Sequence, residues 1–206
     1  MSILPSLTAL EIRIISFFID HITEQFAIRE LARKAHIDYK LVHATVQKLV
    51  QKNAILKKRQ ANVDLCSLNL RGDLSPLYYA EMLRTKEFLQ KHKELKLFFS
   101  DATEKTKKLH YTFVIFGSFA KSTETPRSDV DILIIAPTRE TGEEIGRIVT
   151  SQAIILKRKV QPIILDEKEF ISNLASKEPN VVAEAFKNHI IITGIEAFYK
   201  GVAQAR

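Results

Sequence analysis

Cysteine occurs once in this sequence of 206 residues and glycine six times. No apolar run approaches the ~20 residues that a helix needs to cross a bilayer. A lone Cys66 rules out an intrachain disulfide and fits a reducing cytoplasm, the expected location. One cysteine and six scattered histidines offer no zinc-ligand spacing. The six glycines build neither a Walker loop nor a dinucleotide loop. The opening MSILPSLTALEIR has no basic segment and no small-residue cleavage site, so neither a signal peptide nor a membrane association is expected. Internal repeats and low-complexity stretches are also missing.

What remains is an ordinary balance of 46% hydrophobic and 27% charged residues, enough for one moderate core or two small ones. The net charge of +7 is unevenly placed. Residues 1–110 hold 19 Lys and Arg against 12 Asp and Glu, whereas residues 111–206 hold 12 against 12. The excess in the first half points to a polyanionic partner, nucleic acid first, although a solvated basic surface gives the same count.

The chemistry concentrates in FGSFAKSTETPRSDVDILII, from Phe116 to Ile135. An apolar run from Tyr111 to Phe116 ends in Gly117-Ser118, and a second opens after Ser128-Asp129-Val130-Asp131. Two β-branched-rich runs around a short polar connection predict two strands of one buried sheet. Residues two apart in a strand share a face, so Asp129 and Asp131 would present their carboxylates together. Such a pair repels unless a cation neutralises it, and Mg²⁺ takes oxygen ligands. Gly117 lets a ligand approach the backbone, and Ser118 adds a hydroxyl and an amide where a phosphate could sit. The plainer alternative is a strand–turn–strand whose aspartates only line a solvated strand entrance.

The stretch resembles the signature of the nucleotidyltransferases related to DNA polymerase beta, especially the minimal nucleotidyltransferases. Gly117, Ser118, Phe119, Ala120, Lys121, Pro126, Ser128, Asp129 and Asp131 fall on that signature, while Ser122 stands where glycine is usual. The resemblance implies transfer of a nucleoside monophosphate from an NTP, ATP first, to a hydroxyl. Asp129 and Asp131 would be the catalytic pair holding Mg²⁺ or Mn²⁺. Gly117 and Ser118 would bind phosphates, Lys121 would add charge, and Ser128 would support the carboxylates. A third carboxylate usual to the family would fall near Gln161 and is absent, with Asp166 five residues on. The family also implies a protein acceptor such as a HEPN-type toxin.

The first half reads as a DNA-binding module. Thr8 and Glu11 form a capping box for a helix burying Leu10, Ile14, Phe18 and Ile22. A second helix spans Ile28 to Ala35, and Asp38 caps a third running to about Lys52 with Val42, Val46, Leu49 and Val50 inward. An extended segment from Ile55 leads to a basic tip, Lys57 to Asn62, before Val63, Leu65 and Leu68. This order resembles a winged helix-turn-helix. It would set Lys40, His43 and Gln47 toward a major groove and Arg29, Lys34, Lys57, Lys58 and Arg59 toward phosphates of duplex DNA. Residues 29–59 hold nine Lys and Arg against two Asp and Glu, which agrees with that face. Protein docking through the same module is the alternative.

Further signals fill in the rest. Ser75 and Pro76 open a helix, Leu97-Phe98-Phe99 reads as core or a dimer contact, and Thr141-x-x-Glu144 as a capping box. Lys157-Arg158-Lys159 precedes a strand from Val160 to Leu165, and Ile190–Ile192 forms a last one. The expected fold is α+β in two domains: a winged helix-turn-helix over 1–72, a connecting helical segment over 73–109, and a nucleotidyltransferase-type mixed β-sheet with flanking helices over 110–206. Three function classes stay open: a Mg²⁺-dependent nucleotidyltransferase joined to a DNA-binding domain, a non-enzymatic DNA-binding regulator or antitoxin whose degenerate transferase domain senses nucleotide or mediates homodimerisation, and a protein-docking antitoxin for which neither DNA nor nucleotide matters.

Overall fold

The structure, a computed structural model, describes residues 6–156 and 158–205; Lys157, Arg206 and the first five residues of the opening segment lie outside them. The chain divides into two compact units, Met1–Glu81 and Met82–Arg206.

The first unit holds α1 (Ala9–Asp20), β1 (Phe26–Ala27), α2 (Ile28–Ala35), α3 (Tyr39–Gln51), β2 (Ile55–Gln60) and β3 (Val63–Leu68). The Thr8–Glu11 capping box starts α1, and Asp38 starts α3 by accepting from the amides of Lys40 and Leu41 at 2.9 and 3.2 Å. Ile14, Phe18, Leu31, Val42, Val46, Leu49 and Cys66 form its core. Val50 is only half-buried; Thr45 takes the inward place, its hydroxyl donating to Leu41 O at 2.7 Å. Glu11 is also buried, and Lys52 Nζ meets its carboxylate at 2.8 Å.

The strands pair antiparallel in the order β1-β3-β2. The expected basic tip is mostly strand. Lys57 to Gln60 stay in the ladder opposite Cys66 to Val63, leaving Ala61-Asn62 as the turn, with Ala61 at φ 51. Asp64 accounts for the longer ladder, since it pairs across it with Lys57 and Arg59 at 3.6 and 3.1 Å.

The divide between units falls within α4 (Ser75–Lys91). Ser75 is its first residue rather than its cap; Asp73 accepts from the Ser75 amide at 2.9 Å, which holds the Asp73 carboxyl below its usual range. After a break at His92 come α5 (Lys93–Lys105), β4 (Thr112–Phe116), the single turn α6 (Gly117–Ala120) and β5 (Val130–Ala136). Next are α7 (Arg139–Gln152), β6 (Val160–Asp166), α8 (Glu167–Ala175), α9 (Val181–Lys187), β7 (Ile190–Thr193) and α10 (Ile195–Ala205). Thr138, not Thr141, caps α7, and the Thr141 amide donates to its hydroxyl at 3.3 Å.

The second sheet runs β6-β5-β4-β7, with β5 and β6 parallel and the other pairs antiparallel. This mixed sheet agrees with the α+β expectation. The parallel pair needs a crossover, which α7 supplies. Every residue of β4 is buried, and Phe113 and Ile115 join Ile132 and Ile134 of β5, Phe98 and Phe99 of α5, and Ile145 and Val149 of α7 in one core. Phe98 and Phe99 are thus core residues, whereas Leu97 beside them is exposed. No helix among the described residues is long and apolar enough to cross a membrane.

Candidate active site

The central pair of strands brings the two halves of the motif together. Phe116 at the end of β4 lies opposite Asp131 near the start of β5. Gly117 then turns the chain at φ +68, a region that L side chains rarely adopt. A Cβ there would run into Asp131 Oδ2 and stand 3.2 Å from its Cγ. Glycine is therefore required twice over, by backbone and by space, and the Gly117-Ser118 turn lies directly against the second aspartate.

The connection is built from local bonds. Phe119, 1% exposed, anchors α6 in the core, and Ser118 O accepts from the Thr123 amide at 3.0 Å. Ser122 makes its turn at φ 54 without being glycine, at a cost of roughly 1–2 kcal/mol. Ser128 faces Thr125 rather than the carboxylates: its hydroxyl accepts from the Thr125 amide at 2.9 Å, and its own amide donates to Thr125 O at 3.0 Å. Ser128 acts on Asp129 only by fixing the turn that leads into it.

Asp129 and Asp131 are both half-buried. Burial first, then the charges of Asp129 and Glu184, push the Asp131 carboxyl above its usual range, while Lys121 draws it back. Gln161 is the register partner of Asp131 in β6, and its side-chain amide donates to Asp129 Oδ2. An amide thus contacts the pair in the strand where the resemblance anticipates a carboxylate. Asp166 lies at the other end of β6, beside Ala136, and caps α8 by accepting from the Glu169 amide at 2.8 Å. Lys121 Nζ stands 2.7 Å from Glu184 Oε1 on α9.

Two carboxylates beside a tight glycine turn fit a hard cation that would take its remaining oxygens from water and a phosphate ligand. They do not make an all-protein cage: among the described residues no three His, Cys, Asp or Glu side chains converge on one point. A cavity of about 520 Å³, lined by Tyr111, Thr112, Ile135, Phe170 and Lys200, opens at the other end of these strands. Neither aspartate lines that cavity.

In the first unit, Lys40 and His43 are exposed on α3 and Gln47 is half-buried. The Arg29 guanidinium lies 5.8 Å over the Tyr39 ring, and Tyr39 in turn sits 6.0 Å from His43. Lys34 lies 4.7 Å over the Phe26 ring and 3.8 Å from Glu30. Lys57 and Arg59 share one face of β2 and both pair with Asp64, and the hydrogen bond from Arg59 holds its carboxyl below the usual range. Lys58 points to the opposite face by strand alternation and is exposed. Two of the three hairpin cations are therefore already answered within the hairpin.

Sequence reading did not find Glu184, Arg158 or Asp64. Nothing local marks Glu184, which meets Lys121 across 63 residues. Asp64 was within reach, since a two-residue turn at Ala61-Asn62 sets it opposite Arg59.

Residues 98–196 match the family model of the nucleotidyltransferase domain. The match runs from α5 into the start of α10 and includes every residue of the candidate site. No curated protein and no solved structure gives a significant match to the chain.

Proposed function

We propose that the nucleotidyltransferase domain over residues 98–196 transfers a nucleoside monophosphate from an NTP, ATP first, to a hydroxyl acceptor, which a protein could supply. The acceptor oxygen would form a bond to the α-phosphorus, the bond to pyrophosphate would break, and the hydroxyl proton would leave with solvent or a nearby carboxylate. The observation that carries this reading is the space kept by Gly117: without a Cβ, the Gly117-Ser118 turn abuts Asp131.

Gly117 and Ser118 would meet the outer phosphates with their amides. The helix behind them is a single turn, so those amides matter more than any helix dipole. Asp129 and Asp131 would hold Mg²⁺ or Mn²⁺, which supplies charge neutralisation at the phosphates when bound. Lys121 would exchange Glu184 for a phosphate oxygen. Gln161 keeps Asp129 oriented but cannot take up a proton, so the expected transfer is slow.

The first unit we read as a winged helix-turn-helix that docks α3 on duplex DNA. The exposed Lys40 and His43, and Lys58 on the free face of the hairpin, support it. Gln161 favours a second reading, a regulator or antitoxin whose transferase domain holds nucleotide, or pairs with a second copy, without turnover.

Incubation with each labelled NTP and Mg²⁺ or Mn²⁺ separates the two. Label transferred by the wild type and lost in Asp129→Asn makes the chain an enzyme. No transfer under any condition, and none gained in Gln161→Asp, leaves the regulator.

A further inference from the structure

The stretch entering β6 grips the carboxylate loop at three points. Arg158 Nη1 donates to Thr125 O at 2.8 Å and to Ser128 O at 3.4 Å. The same guanidinium lies 5.4 Å over the ring of Phe119, the buried anchor of α6. One residue on, Lys159 O accepts from the Val130 amide at 2.9 Å, and two further on, Gln161 donates to Asp129.

We propose that Arg158 is a positioning residue: it clamps the Thr125–Ser128 turn against α6 and thereby fixes Asp129 relative to Gly117 and Asp131. What the clamp serves rests on the transferase reading above; the clamp itself does not. Most of the loop from Lys121 to Arg127 is exposed, so packing alone does little to hold it. Its two ends must nevertheless keep a fixed separation, since Gly117 has no clearance from Asp131. A planar guanidinium can bond two carbonyl oxygens at its edge while its face covers a ring. A lysine ammonium reaches one carbonyl and stacks poorly. Arginine at 158 is therefore required for shape as well as charge.

The test compares wild type, Arg158→Met and Arg158→Lys in the full chain, using amide hydrogen exchange and calorimetry with ATP plus Mn²⁺ or ATP plus chelator. In both variants the amides of residues 121–130 should exchange at least about tenfold faster while those of β4 and β7 keep their protection. The Mn²⁺-dependent gain in ATP affinity should fall about tenfold, affinity in chelator should hold, and millimolar guanidinium ion should restore part of the gain in Arg158→Met. Unchanged exchange at 121–130 in a folded variant overturns the proposal. So does a loss of protection spread over the whole sheet with both affinities falling together, which would mark Arg158 as a general fold contact. If Arg158→Met does not fold, the longer Arg158→Lys side chain decides. If the wild type shows no Mn²⁺-dependent affinity, the transferase reading falls, and the exchange data still decide the clamp.

Discussion

Asp131 is at odds with its surroundings. Its carboxyl is raised, so between the ordinary carboxylate pKa and the raised value the folded chain holds a proton that the unfolded chain has released. Stability therefore falls as pH rises through that window, and the ionised form remains a burden above it. Asp131→Asn should raise the melting temperature of the ligand-free chain at neutral pH, and the gain should vanish at acid pH. The same substitution should remove metal-dependent nucleotide binding by at least about tenfold, ~1.4 kcal/mol. Thermal melts across pH and calorimetry check the two halves. Lys121 gives a second prediction at this scale. Exposed ion pairs contribute up to about 1 kcal/mol, so Glu184→Gln should tighten nucleotide binding by at most about fivefold. That gain should disappear in a Lys121→Met background if partner exchange is the cause; a gain that persists there points to a general relief of negative field.

Among the elements, the β2–β3 hairpin is the informative one. Asp64→Asn should free Lys57 and Arg59, tighten binding to duplex DNA at low salt, and steepen the salt dependence by up to about two ion equivalents. Gel shifts at several salt concentrations measure both, and a wild type that binds no DNA at low salt ends the DNA reading. The same hairpin shows what the sequence made legible. Helices with a clear apolar stripe, such as α2 and α3, could be read nearly to the residue. Lys57 to Gln60 could not, because an exposed edge strand carries no apolar alternation and a run of cations looks like a loop. The two-residue β1 is too short for any period to register. Thr141-x-x-Glu144 reads as a capping box, yet α7 begins three residues earlier than that reading allows, with Thr138 as its cap. In the site, the motif residues were legible because they lie within one stretch and the glycine has a local reason. Glu184, Arg158 and the Gln161–Asp129 bond come from strand pairing and helix packing over about thirty residues or more, which no local pattern encodes.

Taken whole, the chain carries in each unit a carboxyl whose response to acid is opposite in sense to the other's. Burial alone would raise the Glu11 carboxyl, but the hydrogen bonds from Lys52 and Thr8 outweigh it and hold it below its usual range. A lowered carboxyl contributes stability above the ordinary pKa and loses it as pH falls through the lowered one. Mild acid should therefore relieve Asp131 in residues 82–206, and only acid below the ordinary carboxylate range should weaken Glu11's contribution in residues 1–81. Glu11→Gln should cost about 1–2 kcal/mol at neutral pH, because the charged hydrogen bond from Lys52 is lost while the side-chain amide can still cap Thr8. Calorimetry at two pH values, with the Glu11→Gln and Asp131→Asn chains in parallel, would assign each shift to its unit.

The buried Cys66 in the core of the first unit has a practical corollary for all such measurements. Its thiol has no exposure, and burial pushes its pKa up to about 11. At neutral pH about one molecule in ten thousand carries the reactive thiolate, behind a closed surface. A cysteine introduced at an exposed position such as Ser122 would be the one site to take a maleimide dye, with no native cysteine to remove first. The protein is, as it stands, a ready chassis for a fluorescent reporter of the loop from Lys121 to Arg127.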